Sequence, residues 1–130
     1  MQTLSKAAIV AVVDIKTEVV QVPEWGGAVA VRELTGTERD TFEQSMVKVG
    51  ADGKRAPDLT NMRAKLCAWC MVDGITGDRL FSDQDLAELG NKSAVALDRV
   101  FRAAQRINGM GGEDVEKNSA PDPSGSSTSA

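Results

Sequence analysis

Two short runs rich in β-branched residues, Glu18–Val22 and Ala28–Glu33, flank the pentapeptide Pro23-Glu24-Trp25-Gly26-Gly27. This arrangement constrains the fold more than any other stretch of the chain. The runs roughly alternate, as half-buried strands do, and β-branched side chains suit a pleated surface. Pro23 has a fixed φ and no N–H to donate, so a first strand ends before it. Gly26 and Gly27 can take the positive φ that a tight reversal demands. Residues 16–33 therefore read as an antiparallel hairpin. The preceding residues 4–13 begin a short helix if Ser5 acts as its cap, although their mixture of Ala and Val leaves helix and strand both open.

Beyond the hairpin the chain reads as mostly helical. Leu34-Thr35-Gly36-Thr37-Glu38 has the spacing of a reciprocal capping box, in which Thr35 accepts from the Glu38 N–H and Glu38 reaches back to the Thr35 N–H. Leu34 stands at the staple position, faced by Arg39. A helix is expected from there to about Val49, with Phe42, Met46 and Val49 on one face. Gly50–Pro57 reads as a polar loop. A second helix is expected from about Thr60 to Val72, striped by Met62, Leu66, Trp69 and Cys70. Asp73–Asp78 reads as a Gly- and Asp-rich turn, a small hairpin that returns Leu80 and Phe81 to the core. Ser82-Asp83-Gln84-Asp85 opens a short helix over Leu86–Leu89, which Gly90 is expected to end as a left-handed cap. The strongest pattern starts at Asn91 or Ser93. There Leu97, Val100, Phe101, Ala104 and Ile107 recur at three and four, with Arg99, Arg102 and Arg106 opposite. Asn108-Gly109-Met110-Gly111-Gly112 stops it. The expected fold is α+β, an N-terminal antiparallel β-hairpin followed by a small bundle of about four helices, in a single domain over residues 1–110.

From residue 111 onward the composition changes. The chain ends in SAPDPSGSSTSA, and Val115 is the only sizeable apolar residue after Met110. Such a segment cannot bury enough surface to offset an ordering entropy of ~1–2 kcal/mol per residue, so a disordered, acidic, Ser-rich tail is expected over 111–130. Glu113, Asp114, Glu116 and Asp122 against Lys117 put most of the formal net charge of −4 in this tail. The remaining acids and bases nearly balance, and no run of Lys and Arg announces a phosphate-binding surface. No nucleic-acid partner is expected. No apolar run approaches the ~18 residues that a membrane span requires. The short run Ala7–Val13, stopped by Asp14, lacks the length and cleavage site of a secretory signal. A cytoplasmic protein without membrane contact is expected.

The chain contains no His and no Tyr. Imidazole is therefore excluded as base, nucleophile partner or ligand. Carboxylates, lysines and two cysteines remain. Cys67 and Cys70 spell C-A-W-C, but a redox dithiol places its first thiol at a helix N-terminus, where the dipole lowers its pKa. Here both fall in the second half of a predicted helix beside Leu66 and Trp69, which reads as buried core. A zinc site needs about four ligands, and two Cys without His do not supply them. The glycines of Asn108–Gly112 follow a helix, whereas a phosphate cradle precedes one. Asp83, Asp85 and Glu88 lack the central Gly and distal Glu of a calcium loop and suit a helix N-terminus instead. No catalytic residue, metal ligand or cofactor is expected. Trp25 stands apart. A large ring at a hairpin tip must either fold back onto the body or anchor a partner.

Two segments, VPEWGGAVAVRELTGTERDTFE and RAKLCAWCMVDGITGDRLFSDQDLAELGNKSAVALDRVFRAAQRING, resemble the tail assembly chaperones of long-tailed phages and prophages. The similarity spans roughly residues 4–108. It is carried by the Trp-Gly-Gly hairpin, the Thr-x-x-Glu helix start and the RLFSD-x-D passage before an amphipathic helix. The resemblance implies a non-enzymatic protein of the host bacterial cytoplasm, absent from the mature virion. It implies binding of the tape measure protein, whose hydrophobic helices are kept soluble, and recruitment of major tail tube protein subunits. It also implies a longer product made by translational frameshift in many relatives, and no transferable active site. The residues agree independently, because masking apolar surface needs hydrophobic grooves, modest charge and no reaction machinery. The expected partner surface is Trp25 at the hairpin tip with Phe42, Met46 and Trp69 on the helices. A homo-oligomer is left open by residual apolar faces on so small a body. The alternatives are a minor structural head-tail or tail-completion protein and, from a different class, a small dithiol oxidoreductase using Cys67 and Cys70.

Overall fold

The computed structural model describes residues 2–110. Helix α1 (Lys6–Ala11) is capped by Ser5, whose hydroxyl accepts from the Ala8 N–H at 3.1 Å, and it buries none of its residues. The chain then continues into strands β1 (Thr17–Val22) and β2 (Gly27–Arg32), paired antiparallel from Thr17↔Arg32 to Val22↔Gly27. Pro23–Trp25 form one 3-10 turn, closed by Gly26 at φ 76, whose N–H donates to the Pro23 carbonyl at 3.0 Å. Only Gly26 uses the left-handed region, and Gly27 opens β2 as an ordinary strand residue. The pairing puts Val20, Val22, Val29 and Val31 on one face. Val22 and Val31 there are fully enclosed, while Val19 on the other face is exposed.

The capping box forms. The Thr35 hydroxyl accepts from the Glu38 N–H at 3.2 Å, and the Glu38 carboxylate accepts from the Thr35 N–H at 2.9 Å. Helix α2 (Gly36–Ser45) stops earlier than its apolar spacing predicts. Val47–Val49 instead form strand β3, paired with β4 (Arg55–Pro57) in the register Val47↔Pro57 to Val49↔Arg55. The expected loop over 50–57 is thus a turn and a returning strand. Val49 fits both a period of 3.6 and a period of 2, and the β-branched pair around Lys48 favours the second. Gly53 (φ 78) allows the reversal, and the Gly50 N–H donates to the Lys54 carbonyl at 2.9 Å.

Helix α3 (Met62–Cys70) also ends before the predicted Val72. Met71–Val72 peel off as strand β5, which pairs antiparallel with β2 through Ala30↔Val72 and Val31↔Met71. The result is a three-stranded sheet of order β1-β2-β5. The turn after it matches expectation, with Val72 bridging to Arg79 and the Asp73 carboxylate accepting from the Ile75 and Thr76 N–H groups. A 3-10 turn (Asp83–Asp85) leads into α4 (Leu86–Gly90), and α5 (Ala94–Ile107) follows under its Ser93 cap. Gly90 is not a left-handed cap. It stays within α4, and Asn91 (φ −85) ends the helix. The left-handed stop lies at Gly109 (φ 66), after α5.

Helix α5 lies across the inner face of the sheet and against α3. Val22, Val31, Leu66, Cys67, Leu89, Leu97, Val100 and Phe101 form one core with Phe42 of α2. Each fully buried aliphatic side chain there contributes about 1.5–3 kcal/mol of apolar burial. Two ion pairs tie α5 to the hairpin, Arg106 with Glu18 and Arg99 with Glu24, the latter bidentate at 2.8 and 3.0 Å. The far end of α5 is locked by Asn108. Its side-chain oxygen accepts from the Leu34 N–H at 2.8 Å, and its amide donates to the Ala104 carbonyl at 2.8 Å. Arg39, facing Leu34 in sequence, donates to the Asn108 carbonyl at 2.9 Å. The α+β class, the hairpin and the four helices after it match the sequence expectation. The expected tail over 111–130 lies outside the described residues.

Candidate partner-binding surface

The 3-10 turn at the hairpin tip directs Trp25 back toward the body. The ring is half-buried and packs against the core. It also lines an open groove of about 480 Å³, together with Val29, Met71, Leu80, Phe81 and Leu89, with Glu24 and Lys92 completing the lining. Trp25 thus both packs against the core and borders the groove. Glu24 is held by Arg99, whose hydrogen bonds keep the carboxyl below its ordinary pKa. That pair fixes the tip against α5.

Trp69 sits on the outer side of α3. The Arg79 guanidinium lies 4.8 Å from its ring centroid, within cation–π range. Arg79 also donates to the Ala68 carbonyl at 3.1 Å and pairs with Asp83 at 3.1 Å. Phe42 meets Trp69 edge-to-face, with centroids 6.4 Å apart and planes at 66°. Phe42 itself is 4% exposed, so it supports Trp69 from within the core. Met46, one helical turn beyond Phe42, is half-buried and lines a smaller hollow of about 270 Å³ with Val47, Arg55, Ala56 and Pro57. The groove at Trp25 and the hollow at Met46 share no lining residue.

The cysteines are enclosed, as their position in the helix predicted. Burial pushes the Cys67 thiol up to about 12 and the Cys70 thiol up to about 11. The Cys67 Sγ donates to the Leu97 carbonyl at 3.5 Å, and the Cys70 Sγ accepts from Asn108 at 3.6 Å. A neutral, buried thiol is a weak nucleophile and a poor ligand. Asp83 and Asp85 serve locally. Asp85 accepts from the Ser82 N–H at 2.8 Å in a second capping box, and Asp83 pairs with Arg79. Among the described residues, no group of three or more His, Cys, Asp or Glu is placed to hold a metal ion. No helix among them is long and apolar enough to cross a membrane.

A family model for phage tail assembly chaperones matches residues 3–118. The chain belongs to this family. No curated protein and no solved structure matches it. A phage tail assembly chaperone works among tail proteins, so the relevant geometry is surface able to receive another chain. In this chaperone Trp25 and its groove provide one such surface, lined by the apolar side chains of Val29, Met71, Leu80, Phe81 and Leu89. Of the four residues singled out from sequence, the structure joins Phe42 to Trp69 and leaves Trp25 on a separate surface. The other walls of the chaperone's groove, Met71, Leu80, Phe81 and Leu89, were not singled out. The sequence places Leu80 and Phe81 in the core; Phe81 does pack partly against it, whereas Leu80 is 46% exposed, because the turn after Val72 leaves its side chain on the open wall of the groove. Met71 was hidden inside a predicted helix.

Proposed function

We propose that this chaperone holds apolar helical segments of the tape measure protein in the Trp25 groove and helps bring major tail tube protein subunits to them. The single observation that carries this reading is the groove itself, an apolar trough beside an aromatic ring, in a member of a tail assembly family. Its volume suits a few side chains, the anchor set that an amphipathic helix presents at i, i+3 and i+4. Met46 and Trp69, the latter supported by Phe42, offer a second apolar contact, which we assign to the same clients. The buried thiols and the lack of imidazole fit a role without bond-making chemistry. The protein acts in the host cytoplasm and leaves before the virion is complete. A frameshifted product that changes only residues after 110 keeps this surface intact.

The test is capture of the tape measure protein by Trp25→Ala. Truncating an interface Trp anchor typically costs 2 kcal/mol or more, or roughly 30-fold in affinity. The expected result is that loss, with an unchanged circular dichroism spectrum and melting profile. Unchanged capture removes Trp25 from the site, and loss of the fold makes it a core residue only. Stoichiometric recovery of the chain from purified virions would instead favour a structural tail protein.

A further inference from the structure

We infer that Asn108 and Gly109 form a self-modification site, at which the Asn108 side-chain amide is lost by ring closure onto the Gly109 backbone nitrogen once the junction between α5 and α2 opens. Asn108-Gly109 is the one Asn-Gly step in the chain. Glycine has no Cβ to shield its backbone nitrogen or to resist the dihedrals of a tight ring, so the reaction is easiest at such a step. The Gly109 nitrogen gives up its proton to water and attacks the Asn108 Cγ. The new N–Cγ bond closes a five-membered succinimide, the Cγ–Nδ2 bond breaks, and Nδ2 leaves as ammonia with a proton from water. A second water then opens the ring. Cleavage of the N–Cγ bond leaves an aspartate at 108. Cleavage of the bond to the main-chain carbonyl carbon leaves an isoaspartate, whose main chain runs through the former side chain. One water is consumed and one ammonia released, and nothing is oxidised or reduced.

The folded chain holds the reacting atoms apart. Ring closure needs the Asn108 Cβ and the Gly109 nitrogen nearly eclipsed about the Cα–C bond. Asn108 has ψ 3, which eclipses the Gly109 nitrogen with the Asn108 nitrogen instead. Substituents on a tetrahedral carbon are about 120° apart in projection, so a rotation of that size separates the native from the reactive arrangement. The peptide plane that must rotate is held from both sides. Its carbonyl, that of Asn108, accepts from the Arg39 guanidinium at 2.9 Å, and its N–H, that of Gly109, donates to the Arg106 carbonyl at 3.1 Å. The Asn108 side chain is held as well, Oδ1 accepting from the Leu34 N–H and Nδ2 donating to the Ala104 carbonyl, both at 2.8 Å. The residue is 9% exposed, which keeps water from the leaving amide. Opening the junction releases these constraints together, because one residue carries them.

The product does not restore the lock. An aspartate at 108 still accepts from the Leu34 N–H, but it sets an acceptor against the Ala104 carbonyl and puts a charge in a nearly buried place. An isoaspartate adds a main-chain carbon just before the left-handed stop at Gly109. Opening of the junction is therefore recorded in one direction, and a modified chain joins α5 to α2 less tightly.

Timed incubation of the full chain at neutral pH, in buffer and in urea above the unfolding midpoint, tests this. Mass spectrometry of the tryptic peptide Ile107–Lys117 reads the exchange of amide for acid, since Asn108 is the one amide side chain in it. Losing one buried hydrogen-bonded group is enough to hold the open state to about a tenth of the chains or fewer, so the reaction should run at least about tenfold faster in urea. Both aspartate and isoaspartate should appear, as opening of a ring requires. Arg39→Ala frees the Asn108 carbonyl, and it should speed the reaction in buffer while its circular dichroism spectrum stays that of the wild type. Equal wild-type rates in buffer and in urea, aspartate formed without its isomer, or a folded Arg39→Ala chain that reacts no faster than wild type overturns the inference. The wild-type comparison decides the matter by itself if that variant does not fold.

Discussion

Replacing Asn108 with Ala tests how the end of α5 is joined to the start of α2. The Asn108 side chain, in a residue 9% exposed, accepts from the Leu34 N–H, and Leu34 is itself 6% exposed. Alanine leaves that buried N–H without its partner, which costs ~1–3 kcal/mol. The loss at Ala104 is smaller, because its carbonyl keeps the backbone N–H of residue 108 at 3.1 Å. The contact with Cys70 at 3.6 Å is long and adds little. The sum is about 2 kcal/mol of destabilisation. With a urea slope of ~1–3 kcal/mol/M for a small domain, the midpoint should fall by about 1 M. Urea unfolding followed by fluorescence reads it, since Trp25 and Trp69 report from different parts of the fold. Asn91→Ala, at an exposed helix end, is the control and should shift stability by less than ~0.5 kcal/mol. An Asn108→Ala shift no larger than that control would refute the reasoning.

Three further outcomes are expected. The Arg32 guanidinium, assisted by the Thr35 amide, holds the Glu38 carboxyl down to about 2 from the ordinary 4.5. Its folded-state pKa lies below its unfolded one, so this contribution is full above about 4.5 and is lost as pH falls toward 2. Glu38→Gln should therefore narrow the gap between melting temperatures at neutral and acid pH, and an unchanged gap contradicts the assignment. Native Cys67 and Cys70 should react with a thiol reagent at neutral pH no faster than the chain unfolds, and both should react in urea. Rapid native labelling would revive the dithiol alternative. Arg79→Ala removes the cation from the Trp69 face and a donor from the Ala68 carbonyl, for about 1 kcal/mol of destabilisation and greater acrylamide quenching of Trp69. Quenching equal to wild type would show that the ring is covered by something else.

The elements legible in the sequence are those specified by near neighbours. Pro23 and Gly26 mark the hairpin turn, Thr35 and Glu38 the start of α2, Ser93 and Gly109 the ends of α5. Each acts across a few residues at most, so its chemistry is visible in a short window. The errors share the opposite property. Met71 and Val72 extend an apolar helical stripe when read along the chain, and only the open edge of β2 turns them into a strand. Val47–Val49 needed their partner at Arg55–Pro57 to settle the period. Gly90 had the right residue type for a left-handed cap, but α4 passes through it and turns at Asn91.

The candidate site divides the same way. Trp25 is conspicuous in the sequence because a ring at a hairpin tip needs a reason. The groove around it draws on β2, β5, the turn at Leu80 and Phe81, and α4, and no local pattern brings these together. Phe42 and Trp69 follow the same helical logic, yet one is core and the other is half-covered by Arg79. By itself the sequence determined the hairpin, the helix starts at Ser5, Thr35 and Ser93 and the absence of imidazole chemistry, because those follow from residue identity and hydrogen bonds between near neighbours. Only the tertiary structure decided which apolar side chains are covered, because burial depends on contacts such as Asn108 with Leu34 that join residues distant in the chain.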